Sequence, residues 1–332
     1  MLVYLIRRLV NVAVLLLVVS VITFGIFFMV PKLTGSDPAL LYVGKIADKV
    51  AVEGIRHKMG LDKPIAEQYL LFLKGLFVGR DYSQGTDITH CSAPCFGYSF
   101  KTEQEVWPVL LDRLPVTLSL AAGASVIWLV LGTGTGIISA LRKGSVVDRA
   151  TMMTALAGVS LPIYFTGLLS LSIFVHVLGW FPNDYVNFTD NPLEWAQNLV
   201  LPWITLAFLY AATYARLTRA TLLEVLNEDY IRTARAKGLK ESKVIGKHAL
   251  RSTLTPILTV FGLDIGALIG GAVLTETTFN LRGLGYEAVQ AISQSDLPVI
   301  LGVTLFAAFF VIMANLVVDL LYAVVDPRVR LG

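Results

Sequence analysis

Charge is scarce in this chain: Asp, Glu, Lys and Arg together supply 15% of its 332 residues, whereas 55% are hydrophobic. A soluble domain carries roughly a quarter charged residues, so there are too few polar groups here to cover a water-facing surface, which argues against a soluble enzyme. Two cysteines exclude a disulfide framework, and ordinary glycine (27) and proline (13) exclude collagen-like and low-complexity classes. Signatures of catalysis are missing too. No Gly-x4-Gly-Lys-Ser/Thr phosphate loop is present, since Gly246-Lys247 leads into His248 without the earlier glycine. Neither Gly-x-Ser-x-Gly nor His-Glu-x-x-His occurs, and no cluster of intramembrane carboxylates suggests hydrolysis.

What is abundant is long apolar sequence. A bilayer core about 30 Å thick needs about 20 residues of apolar helix. Six stretches meet that test: Leu9–Val30, Leu114–Leu141, Ala150–Trp180, Trp195–Ala215 despite Pro202, Ser252–Thr275 broken only by Asp264, and Leu297–Val318. The expected fold is an all-α polytopic membrane protein with six transmembrane helices. The first span is read as an uncleaved anchor, because its apolar run exceeds a signal core and no small-x-small site follows Val30. Gly132-Thr-Gly134-Thr-Gly136 lies inside a span and reads as a helix-packing face rather than a dinucleotide fingerprint.

Basic residues orient the spans. With the amino terminus inside, the inner segments hold 16 of the 27 Lys and Arg, and the two short outer loops hold only Arg282. Both termini are therefore expected in the cytoplasm. The division is then 1–31 for the inner end and first span, 32–112 for an external subdomain, and 113–332 for the core. Within the core the expected segments are helices at 113–141, 150–180, 195–215, 252–275 and 297–319, a cytoplasmic loop at 216–251 and a tail at 326–332. In the external region Ile46, Val50, Ile55 and Met59, then Tyr69, Phe72, Leu73, Leu76 and Phe77, recur at near-helical spacing, which predicts two short amphipathic helices.

Cys91 and Cys95 both fall in that external region, four residues apart across a proline turn, where they can close a small disulfide loop. His90 beside them raises a metal alternative, but the second half of a four-ligand pattern is absent, and no metal is expected. His57, His176 and His248 are isolated from one another. Of the ionisable groups in the spans, Asp264 sits centrally, facing a wet cavity, a polar partner or a substrate path; Glu276 and Asp319 lie near span ends and read first as local hydrogen-bonding groups.

The loop at 216–251 has nine basic and four acidic residues. Within it Asp229, Tyr230, Ile231, Arg232, Thr233, Ala234, Arg235, Ala236, Lys237 and Gly238 form a short helical stretch with small side chains, ending at a glycine suited to a C-cap. Such a helix suits docking into a groove of another protein. The segment DYIRTARAKGLKESKVIGKHALRSTLTP from Asp229 to Pro256 resembles the coupling loop of ABC importer permease subunits, specifically the B-type (first) permease of the dipeptide/oligopeptide/nickel group. Tyr4–Arg8, Gly60–Ile65, Arg113–Leu118, Ser160–Pro162, Arg216–Ala220, Gly270–Glu276, Leu281–Gly285 and Asp326–Arg328 extend the likeness along nearly the whole chain. Two departures stand out: Thr86–Tyr98 resembles an insertion, and Asp264 replaces an expected uncharged amide.

The resemblance implies a type I importer fold in a bacterial inner membrane, pairing as a heterodimer with a second permease. It also implies two ATPase subunits inside, which use ATP and Mg, and a substrate-binding protein outside. This chain would bind no cofactor and no nucleic acid and would not itself be an enzyme. Residues 229–238 would couple to the ATPases, and Asp264 and Glu276 become candidates for the translocation path of a di- or oligopeptide or related solute. A self-sufficient secondary transporter or channel is the alternative, though one central carboxylate is thin material for a proton relay. A membrane-embedded enzyme or a sensor lacks its catalytic constellation or output domain.

Overall fold

A computed structural model describes residues 2–29, 37–42, 49–84, 87–182 and 185–325. The tail at 326–332, the boundary at 30–36, Thr86 and the side chain of Asp319 lie outside the described residues. Five helices are long and apolar enough to cross a membrane, and a bent pair makes up to six. They are α1 (Leu2–Phe24, continued by a wide turn Gly25–Met29), α4 (Val106–Leu141), the pair α5 (Val146–Ser160) and α6 (Ile163–Ser170), α7 (Pro192–Val225), α9 (Glu241–Ile269) and α12 (Leu297–Val325). Between them lie α2 (Lys49–Met59), α3 (Ile65–Val78), α8 (Asp229–Ala236), α10 (Val273–Thr278) and α11 (Leu284–Gln294).

Four boundaries differ from the sequence reading. The run expected as one helix over 150–180 is bent by 98° between α5 and α6. Pro162 has no N–H and holds Leu161 in an extended conformation (φ −86°, ψ 125°), so one helix stops and another starts there. Helix α7 continues ten residues past Ala215, because charged residues beyond the apolar run cost a helix nothing where water is available. The expected span over 252–275 ends at Ile269, where Gly270–Ala272 separates α9 from α10, and α4 begins at Val106 rather than 113.

The chain divides into two compact units. One contains the residues up to Val116 with Ile269–Val273 and Arg282–Met313; the other contains Thr117–Leu268, Leu274–Leu281 and the residues from Ala314 on. In the first, Val106 and Leu110 of α4 pack with Leu284, Ala291, Val303 and Phe306. Its cap consists of the two expected short helices, α2 and α3, with two small antiparallel hairpins. These are β1 (Arg80–Gln84) with β2 (Asp87–Cys91), in register from Arg80 opposite Cys91 to Gln84 opposite Asp87, and β3 (Tyr98–Ser99) with β4 (Gln104–Glu105). Helix α3 is held by Phe72, with Tyr69, Leu73 and Leu76, against Phe24 of α1 and Leu301 and Leu305 of α12.

In the second unit α7 is the central strut, against which α5, α6 and the later part of α4 pack. The α4 contact shows why its glycines stand at alternate places. A Cβ at Gly132 would lie 2.7 Å from the Tyr214 Cβ, and one at Gly136 would lie 2.6 Å from the Ala215 carbonyl oxygen, whereas Gly134 has nothing within 4 Å. Without a hydrophobic driving force between helices in lipid, such close backbone approach is what supplies attraction.

Candidate functional site

The exposed helix α8 follows α7 after a two-residue turn at Leu226–Asn227 and the cap Glu228. Ile231 is fully buried and Ala234 nearly so, in a cluster with Ala140, Leu222, Val244 and Ala249. Burying an isoleucine is worth about 1.5–3 kcal/mol, more than any exposed ion pair on this helix. Among the pairs, Arg235 meets Glu241 at 2.6 Å with both partners substantially exposed, worth about 0–1 kcal/mol. The helix is therefore attached by one apolar stripe, leaving Asp229, Tyr230, Arg232, Thr233, Arg235, Ala236, Lys237 and Gly238 exposed.

Two details refine the sequence reading. Ala234, expected with the outward small residues, is turned into the protein's own core three residues after Ile231, and so serves as anchor rather than contact surface. Gly238 ends the helix with φ +75°, while the N–H of Leu239 reaches the Ala234 carbonyl at 3.4 Å and that of Gly238 reaches Arg235 at 2.9 Å. This is the left-handed glycine stop that the sequence suggested. Tyr230 steadies the outer face, its hydroxyl 3.0 Å from the Ser252 hydroxyl.

A second feature beneath α8 was not read from the sequence. Arg219 of α7 donates to Asp148 of α5 through Nε (2.7 Å) and Nη2 (2.9 Å). The same carboxylate accepts from the Ser139 hydroxyl and from the Gly144 N–H at 2.8 Å, and Asp148 is 4% exposed. The local signal was available: Ser145 caps α5 by accepting from the Asp148 N–H, a Ser-x-x-Asp start. The partner 71 residues away was not.

Asp264 lies within α9, half-buried, its Oδ2 accepting from the Tyr214 hydroxyl at 2.7 Å. Tyr214 belongs to an aromatic group in which Trp128 stacks on Tyr210 at 4.6 Å and leans on Phe261 at 6.1 Å. Glu276 departs from the sequence reading. It sits on α10 rather than at the end of the fifth span, is fully buried, and accepts from the Thr117 hydroxyl at 2.8 Å.

Comparison with known proteins identifies the setting of this exposed helix. Residues 132–331 match the family described as binding-protein-dependent transport system inner membrane component, and residues 1–121 match the corresponding N-terminal family. The chain belongs to this family. A protein of Brucella abortus (strain 2308) named as a peptide transport system permease is 40% identical over 98% of each chain. The di/tripeptide transport system permease protein of Pseudomonas aeruginosa (strain UCBPP-PA14) is 36% identical over 94% of each. In fold, the permease is similar to the inward-facing MetNI methionine ABC transporter, with a TM-score of 0.52 at 17% identity, covering 66% of this chain and 97% of that one. It is thus a multi-pass permease subunit of an ABC importer, a component that works with other subunits of its transporter.

In the permease, Cys91 and Cys95 are joined, with their Cα atoms 5.6 Å apart, and both are buried beside Tyr82. The loop they close is tied to α3 by the Cys95 N–H, which donates to the Gly75 carbonyl at 3.1 Å. His90 lies at the hairpin surface and pairs with Asp81. Among the described residues, no group of three His, Cys, Asp or Glu side chains is placed to hold a metal ion.

Proposed function

We propose that this permease carries di- or oligopeptides, pairing with a second permease as a heterodimer, and that α8 inserts into a groove of an ATPase subunit on the cytoplasmic side. The observation that supports this reading is the build of α8: a short helix anchored by its apolar side through Ile231 and Ala234, sharply stopped at Gly238, with its remaining side chains at the surface. Two ATPases would hydrolyse Mg-bound ATP, and a substrate-binding protein would deliver cargo to the cap on the opposite side. Both termini would then be cytoplasmic, in keeping with the basic residues around α8, and this chain would hold no nucleotide and carry out no chemistry. ATP-driven closure would draw the coupling helices together and turn the cavity outward; release would return it, a cycle that rests on each ligand favouring one of two states. The peptide assignment draws on what the Brucella and Pseudomonas relatives are named to carry.

Asp264 is our choice for a path residue: the Tyr214 hydroxyl serves one of its oxygens, and an intramembrane carboxylate that is only half-buried is a group for water or cargo to meet. Asp264→Asn should leave assembly intact and change the relative uptake rates of peptides of different charge; identical kinetics across them would remove it from the path.

Mild-detergent purification of the tagged chain from its native membrane, with mass spectrometry of its companions, tests the assembly. Recovery of a second six-span protein with one or two ATPases is expected. Recovery of the chain alone under gentler extraction would favour a self-sufficient transporter.

A further inference from the structure

Asp264 is the single charge in the apolar run of α9, and among the described residues no Lys, Arg or His pairs with it. Its Oδ2 accepts from the Tyr214 hydroxyl at 2.7 Å, while its Oδ1 has no donor among the described residues. Aromatic rings from three helices gather around this carboxylate. Tyr210, one turn before Tyr214 on α7, lies within electrostatic reach of it. Phe261 precedes Asp264 by three residues, which puts ring and carboxylate on one side of α9. Behind them stands Trp128 of α4, with its ring centre 4.6 Å from that of Tyr210, 6.3 Å from Tyr214 and 6.1 Å from Phe261. All five residues belong to the second compact unit.

Burial divides the group into a fixed back and an open front. Trp128 and Tyr214 are fully buried, whereas Tyr210, Phe261 and Asp264 are only half-buried. A carboxylate within a span is costly, and a positive charge brought to it offsets that cost. A metal ion is a poor match, because it requires several oxygen ligands, and among the described residues no three His, Cys, Asp or Glu side chains are placed to supply them. An organic cation is a good one. An ammonium or guanidinium can donate to Oδ1 in a charge-assisted hydrogen bond while the ring faces attract its charge and cover its carbon atoms.

We propose that Asp264, Tyr210 and Phe261 form a subsite for a cationic group of the cargo, a terminal ammonium or the side chain of a lysine or arginine. This rests on the reading of Asp264 as a path residue and names what it recognises there. Tyr214 is a positioning residue: its hydroxyl holds Oδ2 and leaves Oδ1 for the incoming donor. Trp128 holds the Tyr210 ring by stacking on it.

Two measurements test this, and the first needs no cargo. It is the unfolding midpoint of the permease purified with its partner subunits, in ethylammonium chloride or in sodium chloride of equal ionic strength. A ligand that binds the folded state raises the midpoint, so ethylammonium should raise it above sodium in the unaltered protein. Asp264→Asn and Tyr210→Leu should each abolish the difference, and Tyr210→Phe, which keeps the ring, should retain it. Equal midpoints in the two salts, or a difference that survives Asp264→Asn, would overturn the proposal. The second measurement is uptake of tri-alanine amide, which carries one ammonium, against its neutral N-acetylated form. Asp264→Asn should lower the ratio of the first to the second by about tenfold, the loss of one charge-assisted contact. Peptide uptake with that ratio unchanged would overturn the subsite and leave the peptide reading standing. Uptake of neither compound by the unaltered complex would count against the peptide reading, and the comparison of salts would still decide the subsite.

Discussion

Arg219 grips Asp148 with two parallel hydrogen bonds, at 2.7 and 2.9 Å, so that the turn between α4 and α5 is fastened to the end of α7 from which α8 continues. With the Ser139 hydroxyl and the Gly144 N–H also on the carboxylate, the buried charge has four donors, which is what makes it tolerable at 4% exposure. Removing one partner strands the other. Asp148→Ala should therefore destabilise the permease, seen as a lowered unfolding midpoint in detergent. Arg219→Lys should fall between that variant and the unaltered protein, because it keeps the charge and loses the planar fork. Equal stability of all three would show that the contact is not a structural one.

The glycines of α4 permit a sharper control. Gly136→Ala places a methyl group 2.6 Å from the Ala215 carbonyl oxygen and should weaken the helix pair. Gly134→Ala meets open space and should leave stability unchanged or raise it by about 0.5–1 kcal/mol, the usual gain for alanine over glycine within a helix. Thermal unfolding of the two variants side by side checks this; equal effects would argue against the close approach of α4 and α7.

At Gly238 the conformation matters and space does not, since no atom lies within 4 Å of a Cβ built there while φ is +75°. Gly238→Val should therefore disrupt the end of α8 and abolish uptake with the protein still in the membrane. Gly238→Asn, which accepts left-handed backbone, should retain much more uptake. Comparable uptake by the two variants would mean that the helix stop is unimportant for transport.

Asp296, just ahead of α12, offers a pH test outside the spans. Burial pushes its carboxyl above the usual carboxylate range, partly offset by the Ser99 hydroxyl that donates to it and by Lys101, while Glu287 adds to the rise. Tyr42 stands beside it, its hydroxyl accepting from the Leu297 N–H at 3.0 Å. The folded chain then holds this proton more tightly than the unfolded chain does. Its contribution to stability is full below the ordinary carboxylate range and declines as pH rises through the raised folded value. Asp296→Asn should flatten that part of a plot of unfolding midpoint against pH; an unchanged slope would contradict the assignment.

The apolar helices were legible because lipid demands long runs without charge, and α8 was legible because its cap glycine and small residues are local signals. What the sequence concealed was set by contacts across distance. Nothing near Ala234 says that it faces inward; that follows from Ile231 three residues earlier meeting Leu222 and Val244. Nothing near Arg219 points to Asp148. Glu276 looked like a residue near a span end until Gly270–Ala272 broke the helix and α10 carried it into the core. The bend at Leu161–Pro162 was written locally, but an uninterrupted apolar composition masked it.

Cross-linking from α8 reads most directly what that helix contacts. With Cys91 and Cys95 joined to each other, a cysteine placed at exposed Thr233 gives a unique reactive position for a short cross-linker that is thiol-reactive at one end and photoactivated at the other, used in native membranes. The prediction is a cross-linked product containing an ATPase subunit from Thr233→Cys and none from Val126→Cys, which sits 63% exposed on the apolar surface of α4. An intact complex in which Thr233→Cys is freely labelled by small thiol reagents, yet captures no ATPase, would contradict the coupling role of α8.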